Sequence, residues 1–424
     1  MAGRHDAPAY EVVVGTGGIG SGMFLALTGN RTLGREESRA ATLLDQRDYC
    51  KLHIVCHYVR RLLGPAVRVV PVGKVGDDAP GRDAMAAMRA EGMDMSLVAM
   101  APRPTLFSVC FQYPNGDGGN ITTAGSASDC VEPADIARAA PVLDAHRGRA
   151  IALALPEVPV AARAALLDLA TAAEAFRVAT FVSQEWEQVL RDGLLGRVDL
   201  LALNLDEATA LLESGPDGAA GTVSAGSVSA GAVSAGTVSA GAVSAGRAAE
   251  AGAVGAGSGA GGLGGLGGPG DGGLGAAGAD GGLAAAGGLG AAGADGGLGA
   301  AGGLGGPGAV VEAVVRRLAA TNPAMSLVVT AGRQGSWAWD GRNLSHTPAL
   351  PVESVAGTAG AGDAHLAGLV VATAHGVPLA AANRYATVVS GVSVTSRHTI
   401  DPDLTAARVR DAARSAGWEL PPEL

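Results

Sequence analysis

Aromatic residues make up only 3% of this sequence, so its positive mean hydropathy of +0.26 rests on alanine. Basic residues are outnumbered, 30 against 40 acidic ones, and form no dense run. A net charge of −10 with no basic cluster argues against nucleic acid or an anionic membrane as the main partner. No apolar run long enough for a membrane helix is free of glycine and polar breaks, so no span is expected. The opening residues, Met-Ala-Gly-Arg-His-Asp, lack the apolar core of a secretory signal. Cysteine is scarce as well. Cys50, Cys56, Cys110 and Cys130 show no metal-type spacing and read as small buried hydrophobes in a reducing compartment. These absences together predict a cytoplasmic protein.

Glycine is present in excess, at 67 residues, and much of it falls between 215 and 308. There Val-Ser-Ala-Gly recurs with valine at 223, 228, 233, 238 and 243, and Gly-Leu-Gly-Ala-Ala-Gly-Ala-Asp ends at Asp280 and again at Asp295. Glycine this dense costs too much backbone entropy for the few Val and Leu side chains to offset. The segment reads as a flexible insertion in a surface loop; a repeat solenoid competes with that reading, but no repeat carries a strand of its own. The roughly 330 residues outside it, 1–214 and 309–424, suit one large α/β domain.

Along that domain, strand and helix patterns alternate. Glu11–Val14 reads as a buried strand running into Gly15-Thr-Gly-Gly-Ile-Gly20, which fits G-x-G-x-x-G, and the following Ser21–Thr28 reads as helix-like. That combination makes a dinucleotide fingerprint a candidate, although Arg31–Ser38 does not read as the second strand such a site needs. The charge-dense Arg35–Tyr49 is a solvated face or a flap. Helices are expected over Lys51–Leu63, Arg82–Glu91, Pro159–Arg177, Ala208–Glu213 and Ala309–Ala320. Strands are expected over Arg68–Gly73, Thr105–Tyr113, Ala150–Leu155, Val178–Ser183, Asp199–Leu203 and Ser326–Thr330. Asn120–Thr123 pairs back on the 105–113 strand, and an Asp340-Gly341 turn joins a hairpin holding Trp337 and Trp339. Such alternation predicts a mostly parallel sheet covered on both faces, with ligands at the carboxyl ends of its strands.

One stretch carries the sharpest chemistry. Gly357-Thr-Ala-Gly-Ala-Gly-Asp363 leads into an apolar, Ala-rich helix. A glycine turn at a helix N-terminus presents backbone N–H groups and a positive dipole end to an anion. An aspartate there serves either as an N-cap or as a general base towards a hydroxyl. His365 and His375, ten apart on the helix, read as packing or solvent-facing residues, with no third metal ligand in register.

Five segments in order resemble the PfkB or ribokinase-like carbohydrate kinases, over roughly 11–214 and 309–424. They are Val72–Gly81 with Glu91-Gly-Met-Asp94, Leu155-Pro-Glu-Val-Pro159, Asn204-x-x-Glu207, Thr330-Ala-Gly-Arg-Gln-Gly335 and Gly357–Asp363. The resemblance implies a three-layer α/β/α ribokinase-like fold with a small β-lid from about 20–50 and 103–125. It also implies phosphoryl transfer from ATP to a hydroxyl of a sugar-like acceptor. Asp363 would be the base, and the backbone of Gly360, Ala361 and Gly362 the anion hole. Asn204 and Glu207 would organise Mg2+ through water, and Thr330, Gly332, Gly335 and Thr387 would lie along the nucleotide. Gly17, Gly18, Gly20, Lys51 and Asn120 are the expected acceptor contacts, and a homodimer through the lid is expected.

Four departures set the sequence apart from that pattern, one being Thr387 near the place of an Asn that often lines the adenine pocket. No Asp stands near Gly20 to hold sugar hydroxyls. The family's Gly-Gly-x-Gly-x-Asn signature is replaced by Arg47-Asp-Tyr-Cys-Lys51, and Gly357 stands where an Asp tied to a monovalent-cation site is common. The glycines at 17, 18 and 20 leave room, on this reading, for a bulkier or charged acceptor. A nucleoside kinase of the same fold and a silent sugar- or nucleotide-binding regulator are the alternatives.

Overall fold

A computed structural model describes residues 8–115, 118–214 and 306–424. Most of the segment expected to be an insertion, 215–305, therefore lies outside the described residues.

The central strand, β1 (Val12–Thr16), is buried along its whole length. Val13 packs into one core, while Val12 and Val14 pack into another. A strand whose alternate side chains both meet apolar cores has no wet face, which is why it reads as an unbroken β-branched run. β4 (Arg68–Gly76) and β5 (Val98–Ala101) follow on one side of it. β8 (Ala150–Ala154), β9 (Phe176–Ala179), β10 (Leu200–Asn204) and β11 (Ser326–Thr330) follow on the other, all parallel. β12 (Ser336–Trp339) and β13 (Leu344–Thr347) add an antiparallel hairpin, giving nine strands in the order β13-β12-β11-β10-β9-β8-β1-β4-β5. A second sheet holds β3 (Ala41–Tyr49), β2 (Gly20–Leu27), β6 (Leu106–Gln112) and β7 (Gly118–Thr122), in that order.

One core joins α1 (Lys51–Leu63), α2 (Ala79–Ala90), α9 (Ala361–Ala374), α10 (Leu379–Ser393) and α11 (Ala406–Ser415) to the sheet. The other face takes α3 (Pro133–Ala137), α4 (Ala140–Ala145), α5 (Val160–Ala172), α6 (Trp186–Arg191), α7 (Leu205–Glu213) and α8 (Pro307–Thr321). α9 is apolar all round and buried almost throughout. A Cβ on Gly368 would come within 2.6 Å of the Ala386 backbone, so glycine is what lets α9 and α10 approach. The α/β/α layering expected from the alternation is present.

The structure corrects several sequence expectations. Ser21–Thr28 is not helical: Gly20–Leu27 is a strand paired in parallel with β6 and antiparallel with β3. With no helix after Gly15–Gly20, the dinucleotide fingerprint falls. α5 stops at Ala172, because Glu174 turns the chain with φ 56°, and β9 starts at Phe176. α7 starts earlier than expected, at Leu205, capped by Asn204. α8 begins at Pro307, two residues before the expected start, with proline in the first turn where its missing N–H costs nothing. All four cysteines are thiols, Cys50 and Cys56 buried.

Candidate active site

The parallel register carries several strand ends to one edge of the large sheet. Thr16 lies opposite Ala154, Ala154 opposite Ala179, and Asn204 opposite Thr330. The turns that follow hold Gly17–Gly18, Glu157, Thr180 and Gly332. A cavity of about 70 Å³ opens there, and Lys51, Asn204, Glu207, Thr330, Asp363 and His365 are among its walls. A larger hollow of about 240 Å³ lies beside α11, under Arg410, Arg414 and Trp418, but no side chain lining it can serve as a base.

Asp363 stands in the first turn of α9. The turn before it depends on Gly360, whose φ is +75° and whose missing Cβ would lie 2.5 Å from the Thr399 carbonyl oxygen. No side chain caps the α9 N-terminus. The Ala361 N–H donates to the Thr358 carbonyl at 3.2 Å, and the Ala364 N–H donates to the Gly360 carbonyl at 2.8 Å. The positive end of a buried helix thus points into the cavity beside the Asp363 carboxylate.

Asn204 and Glu207 are tied by a reciprocal capping box. The Glu207 N–H donates to Asn204 Oδ1 at 2.8 Å, and the Asn204 N–H donates to Glu207 Oε2 at 2.9 Å. Burial raises the Glu207 pKa above the usual carboxylate value, and the Lys51 ammonium works against that shift. Among the described residues no three metal-ligating side chains converge. Glu207 and Asp363 both line the cavity, a carboxylate pair that would suit magnesium, which keeps several waters of its own.

Lys51 is the first residue of α1, and its Nζ lies 3.7 Å from Asp363 Oδ1. The Asp363 carboxylate, opposed by burial, holds the Lys51 ammonium above its ordinary range, with Glu157 and Glu207 adding in the same sense. Glu157 is one of two non-glycine residues with positive φ among those described, at 72°, and its Oε2 accepts the Lys51 backbone N–H at 3.0 Å. The sequence reading missed Glu157 as a site residue. The Leu155–Pro159 turn marked its place, but the bond to α1 joins residues 106 apart.

The glycine positions serve packing. A Cβ on Gly18 would meet Glu157 Oε2 at 2.2 Å, one on Gly17 the Leu155 Cβ at 2.9 Å, and one on Gly20 the Leu106 carbonyl at 2.2 Å. Their missing side chains make way for protein atoms, which corrects the expectation that they widen an acceptor pocket. The side chains of Arg47 and Asp48 lie outside the described residues. Asn120 is exposed on β7, opposite Cys110, and does not line the cavity.

Thr330 heads the turn through Gly332, with φ +52°, and Gly335, with φ +86°. A Cβ on Gly335 would lie 2.1 Å from the Thr347 carbonyl oxygen. Thr387 sits behind this turn rather than on the cavity wall. Its hydroxyl is 3.1 Å from Ser336 Oγ and 3.5 Å from His365 Nε2, in a buried network with Asn383. Burial pushes the His365 imidazole down to about 4, so it is neutral near pH 7. His365 both packs, as expected, and faces the cavity.

The family model described as pfkB family carbohydrate kinase matches residues 55–242 and 300–406, more than half of the chain. Curated proteins give no match. Among solved structures, ribokinase from Giardia lamblia is 13% identical at a TM-score of 0.63, over 96% of this chain and 99% of that one. Ribokinase from Cryptococcus neoformans var. grubii serotype A in complex with ADP is 15% identical at a TM-score of 0.61, over 95% and 99%. The nucleoside kinase of Burkholderia thailandensis in complex with inosine is 12% identical at a TM-score of 0.60, over 96% and 99%. These likenesses show a ribokinase-like fold, and the family match extends over most of the described residues: the chain belongs to the pfkB family of carbohydrate kinases, phosphotransferases with an alcohol acceptor.

Proposed function

We propose that this chain transfers the γ-phosphoryl group of ATP to a hydroxyl of a sugar or sugar-derived small molecule, with Asp363 as general base. The observation that carries the reading is the placement of Asp363 in the first turn of α9, on the wall of the cavity that Asn204, Glu207 and Thr330 also line. Asp363 takes the acceptor proton as the acceptor oxygen bonds to the γ-phosphorus. The bond from that phosphorus to the β–γ bridging oxygen breaks, and ADP leaves with its electron pair. The transferred group passes by the N-terminus of α9, where the N–H groups of Gly360 and Gly362 and the helix dipole stabilise its charge, the Ala361 N–H being held by the Thr358 carbonyl. Thr330, Gly332 and Gly335 lie along the nucleotide, and Thr387 supports that turn from behind. Glu207, backed by Asn204, would hold Mg2+ through water, and the ion would supply positive charge beside the phosphates.

The four-stranded sheet is the lid in this reading, and it excludes water that would compete as acceptor. Its face away from the core carries Met23, Leu25, Phe107, Val109 and Phe111, all half-buried, with Leu43 and Ile121 exposed. A contiguous apolar sheet face of this kind suits a second copy of the chain, a homodimer through the lid. A cytoplasmic location, where ATP is available as donor, is part of the same reading. Among the described residues no helix is long and apolar enough to cross a membrane.

The test is ADP release from Mg-ATP over sugars, sugar acids, polyols and nucleosides; inosine belongs in the panel because a structural neighbour holds it. Acceptor-dependent release is expected from the parent. Asp363→Asn should lower kcat/KM by about a hundred- to ten-thousand-fold. ATP binding without release for any acceptor would instead favour a silent binding protein.

A further inference from the structure

Lys51 is out of place as a helix residue. A cation in the first turn of α1 faces the positive end of the helix dipole, so the position does nothing for the helix itself. Its main chain is nonetheless fixed, because Glu157 accepts its N–H from a left-handed backbone conformation that a non-glycine residue adopts only when its surroundings impose it. Its side chain is two-thirds buried, 33% exposed, and runs to within 3.7 Å of Asp363 Oδ1. That distance is an ion pair, longer than a hydrogen bond. An acceptor hydroxyl resting on Asp363 would therefore lie beside the ammonium too. Lys51 is also the only lysine or arginine among the described residues lining the cavity, where Asp363 and Glu207 bring negative charge.

Building on the kinase reading above, we propose that Lys51 is a catalytic residue whose ammonium contacts the γ-phosphoryl group in flight, between Asp363 and the nucleotide side of the cavity. In phosphoryl transfer negative charge spreads over the equatorial oxygens of the moving group, and catalysis is mostly positioning and charge stabilisation. A compact ammonium in a partly dry cavity serves that task as a point charge. In the resting protein it pairs with Asp363. When the nucleotide enters, its γ-oxygens compete for the ammonium, which releases the carboxylate to take the acceptor proton. No bond to Lys51 forms or breaks; the proton goes to Asp363 and the electron pair of the broken P–O bond goes to ADP.

The experiment uses the full chain and the acceptor that gives the highest turnover, with Lys51→Ala and Lys51→Arg beside the parent. Loss of one such electrostatic contact should lower kcat by about a hundred- to a thousand-fold with both KM values little changed. Lys51→Arg should recover part of the loss, and methylammonium added to Lys51→Ala should restore part of kcat, which a merely structural lysine would not allow. Replacing Lys51 by Ala removes a cation from the wrong end of a helix, so folding should survive, as a melting curve would show. Should it fail, Lys51→Met, which keeps the aliphatic stem and deletes the charge, decides: its unchanged kcat would sink the proposal. A raised acceptor KM with kcat intact would overturn the proposal in favour of an acceptor contact, and unchanged kinetics would leave Lys51 a resting counter-ion. No acceptor-dependent ADP release from the parent would remove the kinase reading, and this one with it, before any Lys51 variant is compared.

Discussion

Glu207 caps a helix and, in the function proposed above, holds magnesium, and one substitution separates the two. Gln at the third helical position still completes the capping box with Asn204, so Glu207→Gln keeps that bond pair while deleting the charge. Because burial raises its carboxyl pKa, the folded state binds this proton more tightly than the unfolded chain does. Glu207 therefore favours folding at low pH, and that contribution is lost as pH rises through the raised value. At neutral pH Glu207→Gln should melt at the same temperature as the parent or higher, while its apparent affinity for Mg2+ falls by about ten- to a hundred-fold. A lower melting point with unchanged magnesium dependence would contradict both halves. Gly360 has the opposite profile. Its φ is +75°, and an added methyl would stand 2.5 Å from the Thr399 carbonyl oxygen. Gly360→Ala should therefore lose about 1 to 3 kcal/mol in a denaturant titration as well as turnover. Asp363, Asn204 and Glu207 could be singled out from sequence because a local motif names each. Glu157 and the pairing of Lys51 with Asp363 could not, because those contacts are made by segments far apart in the chain and only the folded sheet edge brings them together.

At the scale of elements, β2 shows where local reading fails. Met23, Leu25 and Ala26 are good helix formers, and nothing nearby in sequence says otherwise. The strand is imposed by β3 and β6, and Gly20 and Gly22 are the tell: a Cβ on Gly22 would lie 2.2 Å from the Ser108 carbonyl oxygen. Parallel strands β1, β8, β10 and β11 were legible because burial on both faces leaves continuous apolar runs, and the hairpin β12–β13 because its Asp-Gly turn is explicit. The small sheet is also tied to the core beside the glycine turn. His398 Nδ1 lies 2.5 Å from Asp45 Oδ2, joining β3 to the loop after α10. Replacing His398 by Ala should raise the acceptor KM and the rate of ATP hydrolysis without acceptor. If neither quantity moves, the tie does not hold the sheet over the site.

For the whole molecule, the family match passes over residues 243–299, although β10 and β11 on either side of them are hydrogen-bonded neighbours. Deleting 243–299 should leave the melting temperature and turnover unchanged; loss of folding would show that the segment contributes to the domain. The apolar outer face of the small sheet makes its own prediction. An Ile121→Asp, Leu43→Asp double variant should elute as a smaller species than the parent in size-exclusion chromatography, and equal elution would exclude a dimer through that face. The same β10–β11 pairing reaches further. Every strand from β1 to β10 lies before residue 215, and β11, the glycine turn and α9 lie after residue 305, so the two carboxylates of the cavity, Glu207 and Asp363, come from opposite sides of that divide. The first portion alone carries every strand up to β10, which would be left as an open edge, and only part of the cavity wall. The chain is thus already organised as a split enzyme, and residues 1–214 and 306–424 produced as separate polypeptides are natural candidates to find each other through that edge and restore activity.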